Sequence, residues 1–179
     1  MGILCCNDVP ADAGRSVNTM ISCVFPGSFD PVTRGHLDLI KRASAIFDRV
    51  TVTVMHNIHK SGTIPVEKRI EMLKAVCSPY ANVRVEQWNG LLADYMKAKK
   101  EKILVRGVRS SSEMEKEMQA CSANRMLNNS FETVFLPSDP AMTGVSSSAV
   151  REIVSFRGDI SAFVPEELTE EINMLLSKE

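Results

Sequence analysis

Val24-Phe25-Pro26-Gly27-Ser28-Phe29-Asp30-Pro31-Val32-Thr33-Arg34-Gly35-His36 decides how this chain folds, because it runs from a short apolar strand through a turn into an amphipathic helix. Ile21 to Phe25 reads as the strand, Pro26, Gly27 and Pro31 punctuate the turn, and Leu37, Ile40, Ala43 and Phe47 then recur on one helical face. His36 falls in the first turn of that helix. A helix start exposes unpaired N–H groups at the positive end of the macrodipole, so it favours an anion, and an imidazole there adds a directed donor. Gly27 and Gly35 fit the same picture, since a residue without a Cβ lets the backbone approach a ligand closely. The natural anion is a nucleotide phosphate.

Outward from this stretch, strand-like and helix-like segments alternate with short connections and no internal repeat, the pattern of a parallel α/β sheet. Strands are expected near 21–25, 50–55, 83–87, 103–106 and 133–136, and helices near 35–47, 66–78, 91–100, 113–127, 146–156 and 166–177. The fold class is therefore α/β: a single Rossmann-like domain with a parallel five-stranded sheet flanked by helices and a small helical C-terminal region. Residues 20–179 form this domain, and residues 1–19, polar and turn-rich from Asn7 to Asn18, read as a dispensable N-terminal extension. Motifs that could hold phosphate fall just after strands, where an open α/β sheet has its ligand crevice.

Composition sets the bounds. A chain of 179 residues that is 44% hydrophobic with a formal net charge of -1 is one ordinary domain, large enough for a real core. The near-neutral balance gives no reason to expect a nucleic-acid partner, and Lys97-Ala98-Lys99-Lys100 reads as a solvated helix end. Five cysteines, with no CxxC pair and no neighbouring His cluster, favour reduced thiols in a cytoplasmic protein. No membrane-spanning stretch is expected. Met1-Gly2-Ile3-Leu4-Cys5-Cys6 falls short of a lipidation signal, because Cys6 stands where Ser or Thr is wanted.

Thr33-x-Gly35-His36 resembles the T/HxGH signature of the nucleotidyltransferase superfamily, and the longer Gly27-to-His36 string resembles phosphopantetheine adenylyltransferases. Further matches follow in that family's order: Asn57-Ile58-His59-Lys60, Gly90 to Tyr95, Arg106-Gly107-Val108-Arg109, Glu117-Met118-Gln119, Asn124-Arg125 and Val145 to Arg151. The resemblance implies attack of the 4′-phosphopantetheine phosphate on the α-phosphorus of ATP, giving dephospho-coenzyme A and pyrophosphate. An ionised phosphate needs no general base, so positioning and electrostatics should supply the catalysis and basic groups should converge on the site.

By the same resemblance His36 contacts the α-phosphate in the transition state and Lys60 holds the incoming phosphate. Arg106 serves the pantetheine side, where Leu91 and Leu92 line a pocket. Arg109 serves the ATP phosphates, with Ser146, Ser147 and Ser148 as further ligands. Ser28 offers its hydroxyl and N–H to the substrate phosphate, Phe29 belongs to the ATP site, and Glu117 and Asn124, two helical turns apart, contact ribose and pantetheine. Plainer roles stay open from the residues alone: a turn serine for Ser28, a solvated loop lysine for Lys60, an N-cap for the serine triplet, a helical core stripe for Leu91 and Leu92, a solvated face for Glu117 and Asn124. Catalytic residues are thus His36, Lys60 and Arg106.

Three segments depart from the family pattern. Glu113-Met114-Glu115-Lys116 stands where relatives carry aspartate followed by Phe-Glu-Tyr, Met142-Thr143-Gly144 replaces aromatic residues before the serines, and Ile58-His59 replaces Pro-Ser. No resident metal is expected; Mg²⁺ arrives with ATP. The resemblance further implies a homohexamer and coenzyme A as a possible feedback ligand. Two other readings stand beside this one: transfer to nicotinate mononucleotide or glycerol 3-phosphate, and a non-catalytic nucleotide-binding regulator.

Overall fold

The structure is a computed structural model that describes residues 20–56 and 62–177. Five strands, β1 (Ser22–Gly27), β2 (Arg49–His56), β3 (Val83–Asn89), β4 (Ile103–Val108) and β5 (Glu132–Pro137), form one sheet in the order β3-β2-β1-β4-β5. Every pairing is parallel, with Phe25 opposite Val52, Val24 opposite Leu104 and Leu104 opposite Thr133. Each strand is joined to the next by a helix: α1 (Arg34–Ile46), α2 (Val66–Cys77), α3 (Leu92–Lys99) and α4 (Ser111–Leu127). After β5, α5 (Ser147–Ser155) and α6 (Thr169–Leu176) complete the small helical C-terminal region.

The chain walks from β1 to β3 on one side, then crosses back to place β4 and β5 on the other. The winding reverses between β1 and β4, and an open parallel sheet has its ligand crevice beyond the carboxyl ends of strands at such a point. Gly27 and Val108 are those ends. The predicted turn after β1 and the Arg106–Arg109 string at the end of β4 are therefore neighbours, though about eighty residues separate them in sequence.

The core lies on both faces of the sheet. On one side Leu39, Ile40 and Ala43 of α1, Met72, Leu73 and Val76 of α2, Val150 and Val154 of α5 and Ile172 of α6 pack with Phe25, Val50, Val52 and Val54. On the other, Tyr95 and Met96 of α3 pack with Val24, Leu104 and Phe131.

All five strands and six helices stand where the sequence places them, with shifts at their ends. β1 continues through Pro26 to Gly27, two residues past expectation, paired with Thr53 and Val54. α4 begins at Ser111 because Ser110 caps it, its hydroxyl accepting from the Glu113 N–H at 3.2 Å. The last expected helix is split: Glu166–Leu168 is a single 3₁₀ turn and only Thr169–Leu176 is α-helical. A second 3₁₀ turn, Pro140–Met142, precedes α5. Residues 1–19 and the loop carrying Lys60 lie outside the described residues.

Candidate active site

Thr33 caps α1, and its pairing with His36 is reciprocal. The Thr33 hydroxyl accepts from the His36 backbone N–H at 3.4 Å, and the Thr33 N–H donates to His36 Nδ1 at 3.1 Å. Because Nδ1 accepts, its lone pair is occupied, and the neutral ring carries its proton on Nε2. Burial pushes the His36 pKa down to about 4, and the guanidinium charges of Arg109 and Arg106 push the same way. The imidazole is thus a neutral donor at physiological pH. Phe29, fully buried with a left-handed φ of 48°, stacks edge-on against this ring with centroids 5.0 Å apart. Gly27 leaves room for it, since a Cβ there would stand 2.9 Å from the Phe29 ring.

Beside His36 lies a hollow of about 220 Å³ lined by Thr33, Gly35, His36, Arg109 and the serines 146–148. Ser146 caps α5, accepting from the Ala149 N–H at 3.1 Å, so the N-terminus of that helix opens into the hollow. Ser147 donates to the Pro31 carbonyl at 2.7 Å and Ser148 accepts from Arg151 at 3.2 Å. Arg109 crosses the hollow: its Nη1 donates to the Val145 carbonyl at 2.9 Å, and its Nε and Nη2 pair with Glu113 at 3.1 and 2.5 Å. That pairing holds the Glu113 carboxyl below the usual carboxylate range.

A second hollow, about 130 Å³, lies against the inner face of α4 and is lined by Leu92, Arg106, Glu117, Cys121, Asn124 and Thr133. Arg106 is gripped by Glu117 in a two-pronged ion pair of 2.7 and 2.6 Å and donates its remaining branch to the Pro26 carbonyl at 2.9 Å. The fork of Arg106 therefore ties β4, α4 and the β1 turn together.

The expected site residues fall into groups. His36, Arg109, Ser146, Ser147 and Ser148 share the first hollow; Arg106, Leu92, Glu117 and Asn124 share the second. Glu117, expected at ATP, faces Arg106 in the second. Ser28 is exposed beside the end of β1. The Phe29 side chain does not line either hollow but backs His36, which leaves its main chain as the part that can reach a nucleotide. Leu91 is exposed at the start of α3, its carbonyl accepting from Trp88 at 3.1 Å, outside the second hollow. Lys60 lies outside the described residues.

Sequence reasoning missed three partners. Thr33 was legible as the orienter of His36, since Thr-x-x-His matches a capping-box spacing. Glu113 was legible as the partner of Arg109 by their four-residue separation. Arg69, which donates to the Ser28 carbonyl at 3.0 Å from forty-one residues away, left no local signal. Among the described residues no group of three or more His, Cys, Asp and Glu is placed to hold a metal ion. No described helix is long and apolar enough to cross a membrane.

The profile of the cytidylyltransferase-like family matches residues 24–153. The phosphopantetheine adenylyltransferase of Clostridium perfringens is 43% identical over 154 residues, 86% of this chain and 94% of that protein. Those of Alkaliphilus metalliredigens and Natranaerobius thermophilus are 44% and 42% identical, over 80% and 86% of this chain and 91% and 94% of theirs. Among solved structures, a Vibrio parahaemolyticus protein assigned as a nicotinate-nucleotide adenylyltransferase superposes with a TM-score of 0.63, covering 89% of this chain and 97% of that one. At 15% identity that likeness speaks for the fold alone.

Proposed function

Because this chain belongs to the cytidylyltransferase-like family and, within it, to the phosphopantetheine adenylyltransferases, we propose that its two hollows hold the two substrates of adenylyl transfer. The protein transfers the adenylyl group of ATP to 4′-phosphopantetheine, a step of coenzyme A biosynthesis. A phosphate oxygen of the acceptor forms a bond to the α-phosphorus as the bond to the β-phosphate oxygen breaks, and pyrophosphate leaves. One observation carries the assignment of roles: the Thr33 N–H donates to His36 Nδ1, which leaves the Nε2 proton of the ring available in the hollow it shares with Arg109.

ATP enters the first hollow, its β- and γ-phosphates at the start of α5 with Ser146, Ser147, Ser148 and Arg109, and with the Ser28–Phe29 main chain nearby. The acceptor enters the second, its phosphate toward Arg106 and its pantetheine arm along Leu92, Glu117 and Asn124, with Leu91 and Lys60 at the margins. His36 donates to a non-bridging α-phosphate oxygen as charge builds there. Being neutral, it adds a directed hydrogen bond without adding a net charge. Mg²⁺ arrives as part of the nucleotide substrate. Each arginine is already paired with a glutamate, so an incoming phosphate meets a guanidinium that is held in place and must share it or take it over.

Coenzyme A carries the same pantetheine arm as the acceptor, so it would compete for the Arg106 hollow and restrain the reaction. The outward side of α4 presents Met118, Met126 and Leu127 to solvent. This apolar strip supports self-association, and a homohexamer is the assembly we assign. The free thiols of Cys23, Cys77 and Cys121 support a cytoplasmic location.

The deciding experiment follows pyrophosphate release by the full chain with Mg-ATP and 4′-phosphopantetheine, with nicotinate mononucleotide and glycerol 3-phosphate in parallel. Release with 4′-phosphopantetheine alone, reduced by about 100-fold or more in His36→Ala, is the expected result. Release with another acceptor would reassign the second hollow, and ATP binding without release would make the protein a regulator.

A further inference from the structure

The turn between β1 and α1 is held by three arginines from three different elements, each donating through Nη1 to an alternate carbonyl. Arg106 of β4 takes Pro26, Arg69 of α2 takes Ser28 at 3.0 Å, and Arg151 of α5 takes Asp30. Only Arg106 has a role in the reaction as described above. Arg69 is 4% exposed, and among the described residues its Nε has no hydrogen-bond partner and no carboxylate comes within ion-pairing distance of it. The nearby Asp30 carboxylate is spent on the backbone N–H groups of Thr63 and Ile64, at 2.9 and 2.8 Å. A Cβ on Gly62 would stand 2.5 Å from Arg69 Nη2, so the loop leaves this guanidinium its space.

A buried guanidinium with an unpartnered Nε and no carboxylate in direct contact is costly, and its retention calls for a cause. The peptide unit supplies one. In a trans peptide the carbonyl and the following N–H point in opposite directions. Drawing the Ser28 carbonyl down to Arg69 therefore turns the Phe29 N–H away from Arg69, and that N–H has no hydrogen-bond partner among the described residues. The same anchor fixes Phe29 where its ring backs His36. Three carbonyl oxygens that would otherwise repel a phosphate are each occupied by a cation.

We infer that Arg69 and Arg151 are positioning residues for adenylyl transfer, which pin the Ser28 and Asp30 carbonyls so that the turn presents its N–H groups to phosphate. Neither touches the reacting atoms. This rests on the adenylyl-transfer reading, and the experiment separates the two.

Full-length Arg69→Gln, Arg69→Lys and Arg151→Gln are compared with wild type for kcat, for KM of each substrate and for melting temperature. Amide NMR follows Phe29 as Mg-ATP is added. The expected result is a loss of about 10- to 100-fold in kcat for Arg69→Gln, with both KM values within about threefold. Arg151→Gln loses less, and Arg69→Lys recovers part of the loss because it keeps one donor and the charge. The Phe29 amide shift produced by Mg-ATP in wild type shrinks in Arg69→Gln. If Arg69→Gln fails to fold, Arg151→Gln and Arg69→Lys decide. Folded variants that keep kcat within about twofold of wild type overturn the inference, even where melting falls, because a purely structural arginine would show that pattern. If wild type is silent with 4′-phosphopantetheine the adenylyl-transfer reading fails, and the Phe29 amide still decides whether Arg69 prepares the turn: an unchanged shift in Arg69→Gln overturns it.

Discussion

Helix α1 turns Leu39, Ile40 and Ala43 into the core and keeps His36 at its rim, whereas the longer α4 buries none of its residues and turns Glu113, Glu117, Cys121 and Asn124 inward. The usual amphipathic arrangement is followed in the first and inverted in the second. In α1, apolar burial fixes the helix and the site residue inherits that rigidity. In α4, the half-buried stripe at three- and four-residue spacing is mostly polar, Met114 being its one large apolar residue, and Met118 and Met126 look outward. Two ion pairs, Arg109 with Glu113 and Arg106 with Glu117, tie it to the sheet. Partly solvated pairs of this kind contribute little stability each. His36 thus stands on a packed scaffold, whereas both arginines of the proposed site rest on ion pairs with α4 that a phosphate can rearrange.

The sharpest test of this contrast removes core from α1. Ile40 is fully buried, and Ile40→Ala should lower unfolding stability by about 2–5 kcal/mol through lost transfer energy and a residual cavity. Urea unfolding followed by circular dichroism measures it. A loss under about 1 kcal/mol would mean that α1 is not the anchored helix of the pair.

A smaller effect comes from His36. Its folded pKa of about 4 lies below the roughly 6.5 of an unfolded imidazole, so between these values the unfolded chain binds a proton that the folded chain refuses. Stability from this group is full above pH about 6.5 and falls as the pH drops toward 4. Melting temperatures measured from pH 7.5 to 4.5 should therefore decline less steeply in His36→Gln than in wild type, and the wild-type imidazole resonance should stay flat until below pH about 5. A wild-type ring that titrates near 6.5 would show that the site around α1 is open to water.

How much of this the sequence discloses differs between the same two helices. The fold was legible because Val50, Val52 and Val54 mark a strand and Leu39, Ile40 and Ala43 mark one helical face, both driven by burial. His36 was legible because its spacing from Thr33 and Gly35 is local. Glu117 and Asn124 could be placed on one face of α4, but not against Arg106, since that pairing depends on how α4 packs back onto the sheet. Arg69 was invisible for the same reason: it reaches the Ser28 turn from a different element. The 3₁₀ turn at Glu166–Leu168 was hidden because its residues favour helix of either kind.

The ion pairs should matter more to substrate than to fold. Glu117→Gln and Glu113→Gln should each cost no more than about 1 kcal/mol in unfolding stability, because these carboxylates are partly solvated. Their kinetic effects should separate: Glu117→Gln moves KM for 4′-phosphopantetheine, and Glu113→Gln moves KM for ATP. Steady-state kinetics with each substrate varied in turn reads the split. Equal effects on both KM values would join the two hollows into one unit.

The smallest expected change in chain stability tells most about α4. Met126 is 90% exposed, so in an isolated chain Met126→Lys should shift unfolding stability by no more than about 0.5 kcal/mol. If the outward face of α4 is covered by a second copy, the same substitution buries an ammonium in an apolar contact and should reduce the mass seen by light scattering at a protein concentration where wild type is assembled. An assembly of unchanged mass would mean that α4 faces solvent, and its inverted pattern would then follow from the polar demands of its inner face alone. Dissociation would give the inversion a second cause: a helix that keeps its polar face for substrate leaves its apolar face for another copy of itself.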